Sequence, residues 1–316
     1  MSRTVWIVAG ASGFLGRRAI AELELDATIS TVAVGRSRPF GDSTAGTFEE
    51  ADLTNKAEWD RILDRFAPAV VLNLAGRTPP ADAEALFRDN VALAGALVRS
   101  LEVWGRPVRL VHAGSAAELG DVPSIRLPVG EDYDPKPVSD YGRAKREATE
   151  IVMSAKAPIV PIVGRLFNLI GPGQPSGQIF GRYARELARM NDLERKSFSV
   201  SGLDHRRDFI DVHDAARALV TLAREGRGGS IYHVGTGESR SIGEGLAKLA
   251  ILSGRLVEFR PDTQALPNGP ADSRADIGRI VRETSWRPRR KFEESLADLW
   301  REASRDCLKS PDRSTE

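Results

Sequence analysis

The sequence predicts an α/β fold built on a doubly wound parallel sheet with a smaller α/β unit behind it, and three observations predict it. Apolar runs of strand length, rich in β-branched residues, alternate with amphipathic stretches from Thr4 to Val163. The first run, Thr4-Val5-Trp6-Ile7-Val8-Ala9, ends in a glycine turn with a helical pattern directly behind it. The chain of 316 residues is long enough to bury one or two sizeable cores.

The elements follow in order. After the first strand, Gly10-Ala11-Ser12-Gly13-Phe14-Leu15-Gly16 forms the turn, and Arg17 to Leu25 carries Ala19, Ile20 and Leu23 at helical spacing. Ser30 to Gly35 reads as a second strand. Asn55 to Phe66 reads as a helix with Trp59, Ile62, Leu63 and Phe66 on one face. Ala69 to Leu74 is a strand, Ala83 to Trp104 one long helix, and Pro107 to His112 a strand running on into Ser115. Asp140 to Ser154 is a helix and Ile159 to Val163 a strand. Strand–helix alternation implies right-handed crossovers and a parallel sheet. From Gly164 the pattern loosens, and Gly171-Pro172-Gly173-Gln174-Pro175 has the composition of a loop. His213 and Asp214 start and cap a short helix, Asp214 to Ala223, and Ile231 to Val234 is a further strand. The polar stretch Ser310 to Glu316 reads as a frayed end.

Composition sets limits. There are 45 Lys and Arg against 44 Asp and Glu, a net charge of +1, which argues against a general nucleic-acid or membrane-surface binder. The single cysteine, Cys307, excludes an internal disulfide framework and fits a reducing, cytoplasmic setting. Four histidines and one cysteine without ligand spacing predict no metal site. No apolar run reaches spanning length, and the chain does not open on a signal-peptide pattern.

The chemistry begins at the glycine turn. Strand, glycine turn and helix let a backbone approach a pyrophosphate at a helix N-terminus. The spacing here is G-x-x-G-x-x-G rather than the general G-x-G-x-x-G. The second feature is Tyr141-Gly142-Arg143-Ala144-Lys145. Residues four apart share a helix face, so Tyr141 and Lys145 are neighbours there. A nearby ammonium favours the phenolate, which makes Tyr141 a candidate acid/base with a lowered pKa.

The glycine turn and the Tyr141/Lys145 pair together resemble the extended short-chain dehydrogenase/reductase family, most nearly its NAD-dependent epimerase/dehydratase branch, which modifies nucleotide sugars. Supporting segments are Asp52-Leu53-Thr54, Asn73-Leu74-Ala75-Gly76, the stretch around Ser115, Gly164 to Gln174, and Arg207 to Asp214. The resemblance covers the chain from Val5 to about Trp300. It implies a Rossmann-type cofactor domain over residues 1–165, with returns at about 207–222 and 230–236. It implies a substrate domain over 166–206 and 237–305, and leaves 306–316 as a tail.

The resemblance also implies the roles of residues. Ser115 hydrogen-bonds the substrate oxygen, Tyr141 exchanges the proton, and Lys145 lowers the Tyr141 pKa and holds ribose hydroxyls. Gly10, Ser12, Gly13, Phe14, Leu15 and Gly16 cradle the cofactor. Asp52 and Leu53 lie at its adenine, and Leu74, Ala75 and Gly76 pass under it. Asn90 has a family counterpart and reads equally as a packing residue. Asn168 and Arg207 contact the nucleotide sugar, Arg207 through its diphosphate; the alternative for Arg207 is an ion pair with Asp208 or Asp211. Asp272 and Arg274 fall where relatives close over the nucleotide.

Two local features refine the reading. The second strand runs into Gly35-Arg36-Ser37-Arg38, with no carboxylate before Asp42. An arginine suits the 2′-phosphate of NADP, so NADP(H) is expected over NAD(H). Family dehydratases carry acids just after the catalytic Ser or Thr, where this chain has Ala116 and Ala117; alanine moves no proton, which counts against dehydration. The stretch Gly114 to Gly120 resembles the 4-keto-6-deoxy-mannose reductase group, departing at Ala116 and Leu119. The expected activity is therefore NAD(P)-dependent reduction of a 4-keto nucleotide sugar. The alternatives are an epimerase with tightly held NAD and a non-catalytic NADP-binding regulator. A homodimer is expected by family analogy, through the 83–104 helix and the Tyr141 helix, with Leu86, Val91, Leu93, Leu97 and Leu101 as apolar surface.

Overall fold

The computed structural model describes residues 3–38, 46–191, 193–262 and 269–309. Asp42 and the stretch Ser310 to Glu316 lie outside the described residues. The first half alternates β1 (Thr4–Ala9), α1 (Phe14–Glu24), β2 (Ile29–Gly35), β3 (Thr47–Glu50), α2 (Lys56–Phe66) and β4 (Val70–Asn73). Then follow α3 (Ala83–Phe87), a π-helical turn (Arg88–Ala92), α4 (Leu93–Trp104), β5 (Val108–Ser115), α5 (Asp140–Met153) and β6 (Ile159–Leu166).

The second half holds β7 (Asn168–Ile170), α6 (Ile179–Arg189), β8 (Arg195–Val200), β9 (Arg206–Arg207), β10 (Phe209–Asp211), α7 (Val212–Glu225) and β11 (Ser230–Val234). It closes with β12 (Arg240–Ser241), α8 (Ile242–Ser253), β13 (Leu256–Pro261), β14 (Asp272–Ser273), α9 (Gly278–Glu283) and α10 (Phe292–Lys309).

Seven strands form one parallel sheet in the order β11-β6-β5-β4-β1-β2-β3. The order reverses direction at β1, which is the switch point that opens a crevice at the carboxyl ends of the strands. Each face buries its own core. On one side Trp6, Val8, Leu72 and Val111 meet α1 and α7; on the other Ile7, Val71 and Leu110 meet α2, α4 and α5. The strands read as continuous apolar runs because both faces are covered. A third core, around Phe180, Tyr183, Leu246 and Leu296, joins α6, α8 and α10. Pairs β7–β10 and β8–β13 and the small β12-β9-β14 sheet complete that part. Among the described residues no helix is long and apolar enough to cross a membrane.

Several boundaries differ from the sequence reading. The stretch 83–104 is helical throughout, as read, but carries a π-helical turn at Arg88–Ala92. Asp89 is paired with both Arg77 and Arg88, and the Asn90 amide donates to the carbonyls of Arg77 and Leu86. The wider π turn brings both polar side chains inward. Helix α1 begins at Phe14, not Arg17. Helix α7 runs from Val212 to Glu225 and is capped by Asp211, whose carboxylate accepts the His213 N–H; His213 and Asp214 lie inside its first turn rather than capping it. Strand β3, four residues with two glutamates, carried no apolar alternation to announce it. Residues 306–309 belong to α10, not to a tail.

Candidate active site

Strand β5 is longer than its apolar run because its end is capped from both sides. Ser115 is the N-cap of a 3₁₀ turn, Ala116–Glu118: its Oγ accepts the Ala117 N–H at 3.2 Å, and Glu118 Oε1 accepts the Ser115 N–H at 2.7 Å. Helix α5 starts alongside, capped by Ser139, whose Oγ accepts the Gly142 N–H at 3.1 Å. A Cβ on Gly142 would stand 2.4 Å from the Ala117 carbonyl oxygen. Glycine there lets the first turn of α5 lie directly on the Ser115 turn. The half-buried Tyr141 thereby comes beside Ser115, whose side chain favours its ionised form. Lys145, one turn on, is buried, and its Nζ donates to the Ala113 carbonyl at 2.6 Å. Ser115, Tyr141 and Lys145 thus form one cluster at the carboxyl end of β5.

The electrostatics differ from the sequence expectation in one respect. Lys145 does not draw the Tyr141 pKa down. Burial raises it, with the Glu118 charge adding and the Ser115 hydrogen bond opposing. Lys145 itself is lowered to about 8 by burial, with Glu118 opposing. The physical reason is that the ammonium is turned to a strand carbonyl and is itself desolvated. The phenol therefore holds its proton at neutral pH, which suits a proton donor.

Beneath this cluster lies a layer the sequence reading did not assign. Glu118 pairs with Arg165 at 2.9 Å, and their side chains are 0% and 2% exposed. Arg165 donates to His233 Nε2 at 3.2 Å, so His233 bears its proton on Nδ1, 3.0 Å from the Val129 carbonyl oxygen. Burial and Arg165 lower the His233 pKa to about 3. The signal was present in the sequence as a lone arginine inside the apolar run of β6, which a buried strand tolerates only with a partner.

The glycine turn forms the second part of the site. Gly10 has φ of +78°, and its Cβ position falls 2.7 Å from the Ala75 backbone, so β1 and the Leu74-Ala75-Gly76 loop touch there. A Cβ on Gly16 would meet the Gly10 carbonyl oxygen at 2.1 Å. Gly13 caps α1 without a side-chain bond, and no acid lies in the first turn, so the amides of Phe14, Leu15 and Gly16 are open to an anion. These residues fit a dinucleotide diphosphate. Ser12 Oγ lies 3.4 Å from Ser37 Oγ, and Arg36 is exposed just past the end of β2. Arg38 stacks on Phe48 at 5.6 Å. Asp52 follows β3 at the surface, where its carboxylate holds the Thr54 backbone and hydroxyl; Leu53 is buried beside it. The buried Asn90 packs its amide oxygen near Gly76.

The third part lies across the crevice. Arg207 donates to the carbonyls of Arg206 and Pro270 at 2.8 and 2.5 Å and lies 3.3 Å from His205 Nδ1. Neither ion pair weighed for it forms. Asp208 is committed to Thr236, Gly237 and Ala275, and Asp211 to His213, Ser295 and Arg290. Burial lowers the Arg207 pKa, with Asp272 and Asp121 opposing. Asn168 donates to the Asp208 carbonyl at 3.3 Å. Beside Arg207 is a cavity of about 210 Å³ lined by Asp121, Val122, Ser124, Leu127, 269–271 and Asp272. Asp272 Oδ1, at that cavity, is buried without a hydrogen-bond partner among the described residues, as is Arg274 Nε two residues on.

A parallel doubly wound sheet, a glycine turn at the end of β1 that fits a diphosphate, and a Ser–Tyr–Lys cluster between β5 and α5 fit a nucleotide-cofactor enzyme of the short-chain dehydrogenase type. The chain belongs to the NAD dependent epimerase/dehydratase family, which it matches over residues 6–235. It is 32% identical over 301 residues, 93% of each chain, to a dTDP-6-deoxy-L-talose 4-dehydrogenase (NAD(P)(+)) of Kitasatospora kifunensis. It is 29% identical over 240 residues to the GDP-6-deoxy-D-mannose reductase of Pseudomonas aeruginosa, covering 72% of this chain and 78% of that one. In three dimensions it resembles the RMD protein of Pseudomonas aeruginosa complexed with NADPH, with a TM-score of 0.83 at 25% identity, over 96% of this chain and 99% of that one.

Proposed function

We propose that the protein is an NADPH-dependent reductase of a 4-keto nucleotide sugar. The observation that carries this reading is the Ser115–Tyr141–Lys145 cluster followed by Ala116 and Ala117: a proton donor is present, and the acids an elimination of water requires are not. Relatives named for 4-dehydrogenase and 6-deoxy-mannose reductase activities support the same substrate class. A nicotinamide cofactor held at the glycine turn would supply the hydride for the sugar carbonyl carbon. Ser115 hydrogen-bonds the carbonyl oxygen. Tyr141 donates its proton to that oxygen as the hydroxyl forms, and the buried Lys145 places a positive charge near the resulting phenolate. Arg207, desolvated and in neither of the ion pairs weighed for it, takes the diphosphate. Asn168 faces the sugar nucleotide from β7.

The preference for NADPH rests on the exposed Arg36 at the end of β2, positioned for a 2′-phosphate. A cytoplasmic location and a homodimer complete the reading. The single cysteine supports the first. The second has less apolar surface behind it than the sequence offered, because Leu86, Leu93, Leu97 and Leu101 are already buried in the monomer core.

The test is incubation of the purified protein with a panel of 4-keto-6-deoxy nucleotide sugars and NADPH, following nicotinamide absorbance and product stereochemistry. Stoichiometric NADPH oxidation is expected with at least one. A protein that retains NAD through gel filtration and inverts a sugar hydroxyl without net redox is an epimerase, and the reductase reading then falls.

A further inference from the structure

Glu118 lies directly under the catalytic turn and is fully buried. Its Oε1 accepts the Ser115 N–H at 2.7 Å and the Thr149 hydroxyl at 3.1 Å, and its Oε2 accepts from Arg165 at 2.9 Å. The Ser115 side chain in turn acts on Tyr141, in the first turn of the neighbouring helix α5. One carboxylate therefore ties β5, α5 and β6 together at the point where the reacting groups meet. Stability alone does not call for it. A buried ion pair loses roughly as much in desolvation as it gains, and apolar replacements of such pairs are often neutral or stabilising. A glutamine would also accept from both Ser115 and Thr149. What only the carboxylate supplies is a negative charge together with a second acceptor oxygen for the buried Arg165 guanidinium.

We propose that Glu118 is a positioning residue of this site: it fixes the Ser115 turn against Tyr141 and sets a permanent negative charge beside the Tyr141 hydroxyl. The charged and titratable groups around it are Tyr141 and Lys145 on its α5 side, Arg165 on β6, and His233 on β11 behind Arg165. His112 on β5 faces Lys145 from below and stays neutral, its pKa well below the usual value through burial and the Lys145 charge. Against this background the Glu118 charge strengthens the hold of Tyr141 on its proton. A reductase needs that proton on the tyrosine when the sugar oxygen receives it, so Glu118 extends the donor form to higher pH. The inference deepens the reductase reading and rests on it for its meaning.

Its test needs no substrate. Phenolate absorbance is titrated in the cofactor-free protein, and subtracting the Tyr141→Phe curve isolates Tyr141. In E118Q, with its own Y141F control, Tyr141 should ionise about one pH unit lower. Thr149→Val, which removes a hydrogen bond but no charge, should leave the titration in place. Unchanged ionisation in an E118Q protein whose circular dichroism matches the wild type would overturn the proposal and leave Glu118 a structural staple. If E118Q does not fold, E118Q combined with Arg165→Met is titrated against Arg165→Met alone, which isolates the loss of the Glu118 charge: a lower Tyr141 ionisation in the double variant supports the proposal and an unchanged one overturns it. A shifted titration in a protein that reduces no 4-keto nucleotide sugar overturns only the reductase reading.

Discussion

Tyr141, Ser115 and Lys145 were legible because the chemistry restricts residue type and the helix period fixes the spacing of two of them. Their electrostatics were not legible. The sequence placed a cation beside a phenol, but it could not show that Lys145 would be buried against the Ala113 carbonyl, nor that Glu118 would be buried below both. Nor could it separate the phosphate role of Arg207 from an ion pair, because the fates of Asp208 and Asp211 depend on residues up to 84 positions away. Two outcomes are expected at this scale. Tyr141→Phe should lower turnover about 100- to 10 000-fold by removing the proton donor, while fluorescence titration shows cofactor binding retained. A regulator whose biological readout survives that change would not be this enzyme. Arg36→Ser should weaken NADPH binding about tenfold and leave NADH nearly unchanged, since only the 2′-phosphate loses a partner. Equal losses for both cofactors would place Arg36 elsewhere.

The apolar cores of the elements followed their periodicity, and their ends followed polar side chains. Strand β5 runs on into Ser115, as read from the sequence, and ends there because Ser115 and Glu118 cap the following turn reciprocally. The 83–104 helix widens into a π turn at Arg88–Ala92, where the buried Asp89 and Asn90 find partners at Arg77, Arg88 and Leu86. Such ends depend on contacts distant in sequence, which a local pattern does not contain. The approach of α5 to the Ser115 turn makes a prediction at this scale. Gly142→Ala gains helix propensity, worth about 1 kcal/mol. Its methyl would nonetheless press on the Ala117 carbonyl, an overpacking cost of about 1–3 kcal/mol that is relieved by moving α5 outward. Turnover should therefore fall roughly tenfold or more as Tyr141 leaves Ser115, even if the melting temperature hardly changes. Full activity in that variant would mean the contact does not set the site.

At the scale of the whole molecule, the parallel sheet and its return through β11 were readable, since apolar runs and short connections leave few topologies. The polar joints between the two parts were not. Asp208 takes amides from 236, 237 and 275, and Asp214 takes those of Arg289 and Arg290, so single carboxylates fix loops that the sequence keeps far apart. Two buried histidines make the fold acid-sensitive. His233, with a pKa of about 3, and His112, well below its usual value, stay neutral in the folded chain and charge when it unfolds. For His233 the unfolded state binds more protons between about pH 6.5 and 3, so its contribution is present above 6.5 and falls with pH by about 1.4 kcal/mol per unit, with His112 acting in the same direction. Urea denaturation across that window should show the slope, and His233→Asn should make it shallower; a flat profile would mean these rings are not buried neutral. The account as a whole turns on one assay: NADPH oxidation by wild type and Tyr141→Phe with 4-keto-6-deoxy nucleotide sugars. It predicts one NADPH consumed per sugar reduced by the wild type, and turnover all but abolished in the variant with cofactor still bound. Equal turnover by the two proteins, or none by the wild type with every such sugar, would contradict it.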